Sequence, residues 1–152
     1  KYVIFWNMIA LAFETKSHKE KVLDFLDEFN WKPESIEDKD GQYNITLIAK
    51  LDIKQIKINI KFSETSHWIY FSSLFLETIE TNQKEIYYKL LQLNYSTTLT
   101  KFGITKNGKI YALIELPLHS LEFEDFIAGL RRLTNDVNKY LIPIATLNKD
   151  DK

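Results

Sequence analysis

Residues 102–117 read FGITKNGKIYALIELP, and this stretch decides the fold. Phe102 and Ile104 lead into Asn107-Gly108, and Ile110, Ala112, Ile114 and Leu116 lead out at every second position. Tyr111 and Leu113 lie on the other parity. Asn-Gly tolerates the positive φ values of a type I′ turn, whose twist suits two antiparallel strands. Pro117 lacks the N–H that a further ladder step needs and stops the second strand.

Working toward the N-terminus, residues 82–95 have helical spacing. Asn82 and Glu85 suggest a capping box, and Ile86, Leu90 and Leu93 form one apolar stripe. Tyr87, Tyr88, Leu91 and Tyr95 add a second apolar face. A helix resting on one sheet needs only one stripe, so the surplus predicts burial on two sides, inside the fold or against another chain.

Before it the period is two. Tyr43, Ile45, Leu47, Ala49 and Leu51 share one face, and Ile56, Ile58, Ile60 and Phe62 alternate with Lys57, Asn59 and Lys61. From Trp68 to Leu76 both parities are apolar, with Trp68, Tyr70 and Leu74 opposite Ile69, Phe71 and Phe75, so this strand is expected deep in the sheet. The segment 35–38 suits a short edge strand. Ser17-His18-Lys19-Glu20 is a capping box for a first helix with Val22, Phe25, Leu26 and Phe29 inward. After Pro117, Ser120 is placed to cap a third helix, with Glu122, Glu124 and Asp125 at its positive end and Pro143 closing it. Phe123, Phe126, Ile127, Leu130, Leu133, Val137, Tyr140 and Leu141 mark its inner stripe.

The fold class is therefore α+β: an antiparallel sheet flanked by helices in the order α-β-β-β-α-β-β-α. The chain divides into an apolar arm at 1–16, a single domain at 17–145 and a frayed tail at 146–152. The arm begins KYVIFWNMIALAF. It is shorter than the ~20 residues that span a bilayer, so no membrane span is expected. Ala10-Leu11-Ala12 resembles a signal-peptide cleavage site, but Asn7 interrupts the apolar core. Packing on the core is the simpler reading, and packing on a second copy is the alternative.

Composition limits the chemistry. Across 152 residues, 45% are hydrophobic and 14% aromatic, enough for a core with aromatic surface to spare. Lys plus Arg number 20 against 21 Asp plus Glu, so there is no field to gather nucleic acid. The lysines at 50, 54, 57 and 61 could line a single-strand groove, but they suit the wet side of a strand better. No cysteine is present, which removes thiol chemistry and disulfides and fits a reducing cytoplasm. His18, His67 and His119 are far apart in sequence and follow no metal spacing. His119 with Glu115 and Glu122 is the one acid–base or metal candidate, and its simpler reading is a connecting histidine beside a helix start. No catalytic residue, metal or cofactor is assigned.

The Leu90–Asn94 segment, Lys101-Phe102-Gly103-Ile104, Asn107-Gly108-Lys109-Ile110 and Glu115-Leu116-Pro117 together resemble YbjN-type domains, which are similar in fold to class I type III secretion chaperones. The resemblance covers roughly residues 17–142 and does not include the arm. It implies a helix-flanked sheet, a homodimer and capture of an extended segment of a partner protein, without catalytic residues. The expected function is non-catalytic protein binding, chaperone-like or adaptor, in the cytoplasm. Tyr87, Tyr88, Leu91, Tyr95, Trp68 and Tyr70 are the candidate partner or dimer surface. The alternative is a small-ligand-binding regulatory domain with a pocket between sheet and helices.

Overall fold

At Ser17 the hydroxyl accepts the Glu20 N–H at 3.1 Å, and the Glu20 carboxylate accepts the Ser17 N–H at 3.3 Å. This capping box opens α1, His18–Glu28. The computed structural model describes residues 15–149. The arm's first fourteen positions and residues 150–152 lie outside the described residues, and with them the apolar run KYVIFWNMIALAF. After α1 come β1 Ser35–Lys39, β2 Gln42–Lys50, β3 Gln55–Ser63 and β4 Trp68–Leu76. They are followed by α2 Gln83–Ser96, β5 Lys101–Ile104, β6 Ile110–Pro117 and α3 Phe123–Leu147.

The six strands form one antiparallel sheet in the order β1-β2-β3-β4-β6-β5. The edge strand expected at 35–38 is present as β1, so four strands precede α2. β4 lies inside the sheet between β3 and β6, as its two apolar parities imply. Ile45, Leu47, Ile58, Ile60, Ile69, Phe71, Ala112 and Ile114 are fully buried on the face that α3 covers, against Phe126, Leu130, Leu133 and Val137. Gly129 permits this close approach. A Cβ there would stand 2.8 Å from the Phe71 ring and 3.1 Å from a Leu116 methyl. α1 and α2 flank α3, adding Val22, Leu26, Ile86 and Leu90 to the same core.

Several local expectations are corrected. The Asn107-Gly108 hairpin exists, but its turn is not type I′. Gly108 alone has positive φ (81°), its N–H donates to Thr105 O at 2.9 Å, and the Thr105 N–H donates to Lys109 O at 2.9 Å. That is the three-residue loop in which a left-handed glycine forms a bulge. The turn with two positive φ values is Asp40 (52°) and Gly41 (78°), joining β1 to β2 between paired Lys39 and Gln42. Asn82 does not cap α2. It sits in left-handed geometry at φ 53°, and its amide donates to Leu147 O at 2.7 Å. The residue at the α3 N-cap is Glu122 rather than Ser120, and no side chain caps that end.

Pro143 does not close α3, which continues to Leu147. Ordered packing reaches Asn148, whose amide donates to Thr78 O at 2.7 Å and accepts the Glu80 N–H at 2.7 Å. A proline four residues from a helix end forfeits one hydrogen bond, and these contacts with the β4–α2 connection hold the end in place.

Candidate functional site

The sheet has a second face, and among the described residues no helix covers it. Alternation places Trp68, Tyr70 and Leu74 of β4 there, 47, 40 and 37% exposed. Register sets Pro117 beside Trp68, Glu115 beside Tyr70, Leu113 beside Ser72 and Tyr111 beside Leu74. The result is an apolar strip along β4 and β6. The Lys101–Glu115 ion pair at 2.6 Å borders it on one side, and Lys57 and Lys61 of β3 on the other. Sequence reasoning found Trp68 and Tyr70 but left out Leu74, Tyr111 and Leu113. Their signal was the off-parity apolar residues of both strands.

A second apolar surface lies on α2. Ile86 and Leu90 face the core, whereas Tyr88, Leu91 and Tyr95 are 61, 68 and 95% exposed. None of the described residues buries this second face. Tyr87, half buried, lines a groove of about 360 Å³ between α2 and β5 with Leu91, Asn94, Phe102 and Ile104. Beyond the end of α2, exposed Leu99 is held at φ 69°, a left-handed conformation that costs a residue with a Cβ about 1–2 kcal/mol. The six residues expected to form one surface thus divide into two: Trp68 and Tyr70 on the open sheet, the other four on α2.

Asn94 governs the outer edge of β5. Its amide donates to Phe102 O at 3.1 Å and its carbonyl accepts the Phe102 N–H at 2.7 Å. The side chain thereby completes the hydrogen bonding of an edge residue as a neighbouring strand would, and strand addition at that point is blocked. Leu-Asn late in the helix carried part of the family resemblance without a physical reason, and this double bond is the reason.

The three histidines, remote in sequence, converge. The His119 ring packs against His18 at 5.2 Å and His67 at 5.8 Å between centroids. His119 therefore stacks with imidazoles, while Glu115 is engaged by Lys101 and Glu122 begins α3, so the acid–base trio is not assembled. Among the described residues no group of three His, Cys, Asp or Glu side chains is arranged to hold a metal. Nearby, Glu64 in the β3–β4 turn accepts the His18 and Lys19 N–H groups at 2.8 and 3.0 Å. Partial burial pushes its carboxyl up, but the N–H bonds from Lys19 and His18, with the charge of His18 and the Tyr43 hydroxyl, hold it below the ordinary value of 4.5. The four lysines at 50, 54, 57 and 61 are exposed along β2, β3 and their connection. No described helix is long and apolar enough to cross a membrane.

No family model matches the chain, and no curated protein matches it in sequence. Solved structures do match it in fold. A chain of the ExsC–ExsE complex is similar with a TM-score of 0.60 and 16% identity, over 82% of this chain and 94% of that one. The heterodimeric ExoU–SpcU complex from the type III secretion system of Pseudomonas aeruginosa matches at 0.57 and 14% identity, over 80% and 94%. The Yersinia pestis type III secretion chaperone SycH, in complex with a stable fragment of YscM2, matches at 0.54 and 13% identity, over 86% and 99%. The fold is that of the type III secretion chaperones.

Proposed function

We propose that this chain is a non-catalytic, cytoplasmic protein-binding domain that acts as a homodimer and holds an extended segment of a partner protein. The observation that carries this reading is the apolar strip of Trp68, Tyr70, Leu74 and Leu113, which no described element covers, on a sheet whose other face packs on α3 along β2, β3, β4 and β6. Large apolar patches rimmed by charge mark surfaces that meet another chain. The α2 surface of Tyr87, Tyr88, Leu91 and Tyr95 serves the second copy. Chaperones of this fold are held in complexes with partner proteins, which supports the same use here. Kinship with YbjN-type domains rests on Leu93-Asn94, Asn107-Gly108 and Leu116-Pro117.

The sheet binds through side-chain faces rather than by adding a strand at Phe102, because Asn94 already occupies that edge. The test is binding of a library of extended apolar peptides to the full chain and to a Trp68→Ala/Tyr70→Ala variant. Loss of at least tenfold in affinity, about 1.4 kcal/mol, is expected from removing two aromatic anchors. Equal binding by both proteins would remove the sheet from the reading.

The groove between α2 and β5 supports a second reading, a small-ligand-binding regulator, because about 360 Å³ of apolar lining with one amide suits a compact aromatic compound. A ligand there would be displaced by a charge at Ile104, whose side chain shares the groove face with Phe102, and unaffected by changes at Trp68.

A further inference from the structure

We propose that the segment held on the open sheet face is acidic: extended, apolar where it meets Tyr70 and Leu74, and carrying carboxylates toward β3. This rests on the reading of that face as the partner-binding surface and adds the charge of what it takes. One row of register partners crosses all six strands on this face: Ser35, Thr46, Asn59, Ser72, Leu113 and Lys101. Every second residue counted from that row shares the face. Its charged side chains are five lysines, at 39, 50, 57, 61 and 101, against Glu37 and Glu115. That surplus of three positive charges stands on one face of a chain whose formal net charge is −1.

The two borders of the apolar strip differ. On the β6 side Glu115, a register partner of Tyr70, is neutralised by Lys101 at 2.6 Å. On the β3 side Lys61 is the other partner of Tyr70, and the antiparallel ladder runs from there through Asn59 beside Ser72 toward Leu74. Lys57 lies four residues from Lys61 on the same strand face, about 13 Å away. Both lysines are exposed, and among the described residues no carboxylate stands within ion-pair distance of either. Tyr70 and Leu74 are also four residues apart, so the lysines flank the strip at its own repeat. An extended segment has that repeat too, and carboxylates four residues apart can meet Lys61 and Lys57 while apolar side chains rest on the strip. A basic segment would bring like charges to the same border and lose affinity. Nucleic acid offers anions and flat bases, but the unpaired lysines follow one border only and the chain as a whole is not basic.

The test titrates the full chain into three fluorescent peptides of one apolar sequence that carry Glu, Gln or Lys at two positions four residues apart. The Glu peptide is expected to bind about tenfold more tightly than the Lys peptide, with the Gln peptide between them. The difference should close near 1 M salt, where the screening length is about 3 Å. Lys57→Glu/Lys61→Glu, its fold checked by circular dichroism, should reverse the order. Equal affinities for the three peptides, or an order unchanged in the charge-reversed variant, overturns the proposal. If Trp68→Ala/Tyr70→Ala abolishes that charge-blind binding, the partner-binding reading stands without it. Binding of no peptide removes the reading and the proposal together. Tighter binding of a single-stranded oligonucleotide than of the Glu peptide assigns the face to nucleic acid, and peptide binding that falls as self-association rises assigns it to a second copy; each overturns the proposal.

Discussion

Asn94 exchanges two hydrogen bonds with the backbone of Phe102, donating at 3.1 Å and accepting at 2.7 Å. One side chain on α2 thus fixes the helix to the sheet and satisfies both edge groups of a strand only four residues long. Replacing Asn94 with Leu keeps the volume and strands both Phe102 groups. Stability should fall by about 1–3 kcal/mol, the usual cost of unpaired part-buried polar groups, measured by urea unfolding. The Phe102 amide should lose its protection in hydrogen exchange. Unchanged protection at that amide would show that β5 does not depend on the bond.

Gly129 faces the most crowded point between α3 and the sheet. Alanine is ordinarily the better helix former by about 1 kcal/mol, so propensity alone predicts that Gly129→Ala stabilises. The added Cβ would meet the fully buried Phe71 ring at 2.8 Å, and the ring has no room to withdraw. Overpacking should win, lowering stability by about 1–3 kcal/mol in thermal or urea unfolding. A stabilised variant would mean that α3 can lift off the sheet without cost.

These two sites mark how far the sequence was legible. Period-two and helical patterns located the elements because burial on one side imposes them: Ile56, Ile58, Ile60 and Phe62 could only be one face of a strand. Turn chemistry was legible in place but not in kind. Asn107-Gly108 and Asp40-Gly41 are equivalent dipeptides, and strand register, a long-range property, gave the left-handed pair to Asp40-Gly41 alone. Asn82 looked like a cap because caps are local, whereas its partner Leu147 is 65 residues away. Pro143 looked like a stop because the contacts of Asn148 with Thr78 and Glu80 cannot be seen from the helix itself. The candidate surface was half legible. Surplus apolar residues showed on α2 and β4, but which side of each the fold leaves open depends on where α3 packs. The meeting of three histidines left no local signal at all.

Glu64 links the β3–β4 turn to the start of α1 through the His18 and Lys19 N–H groups. Its carboxyl is held below the ordinary carboxylate value by those bonds despite partial burial. A lowered carboxyl means that the unfolded chain binds more protons than the folded one as it titrates. The contribution is therefore complete above the ordinary carboxyl range and is lost as pH falls through it. Glu64→Gln should lower stability at pH 7 by about 0.3–1 kcal/mol, the scale of a carboxylate at a helix start, and should make the acid limb shallower. Parallel pH profiles for the two proteins would remove Glu64 as a contributor.

Leu91 and Tyr95 stand on the outer face of α2, exposed among the described residues, on the side turned away from Ile86 and Leu90. If this face joins two copies, a charge at Leu91 is desolvated at the interface and cannot be paired, whereas in the isolated domain it remains in water. Leu91→Asp should therefore shift sedimentation toward the monomer, weakening self-association by at least tenfold, while leaving the unfolding midpoint of the monomer within about 0.5 kcal/mol of the parent, as for a surface change. The sheet variant Trp68→Ala/Tyr70→Ala should do the reverse, keeping self-association and losing peptide binding. The two apolar surfaces are on different elements and the substitutions share no neighbour, so their effects should add. A chain that sediments as a strict monomer over a wide concentration range would sink the dimer, and a sheet variant that loses self-association would move the contact between copies from α2 to the sheet.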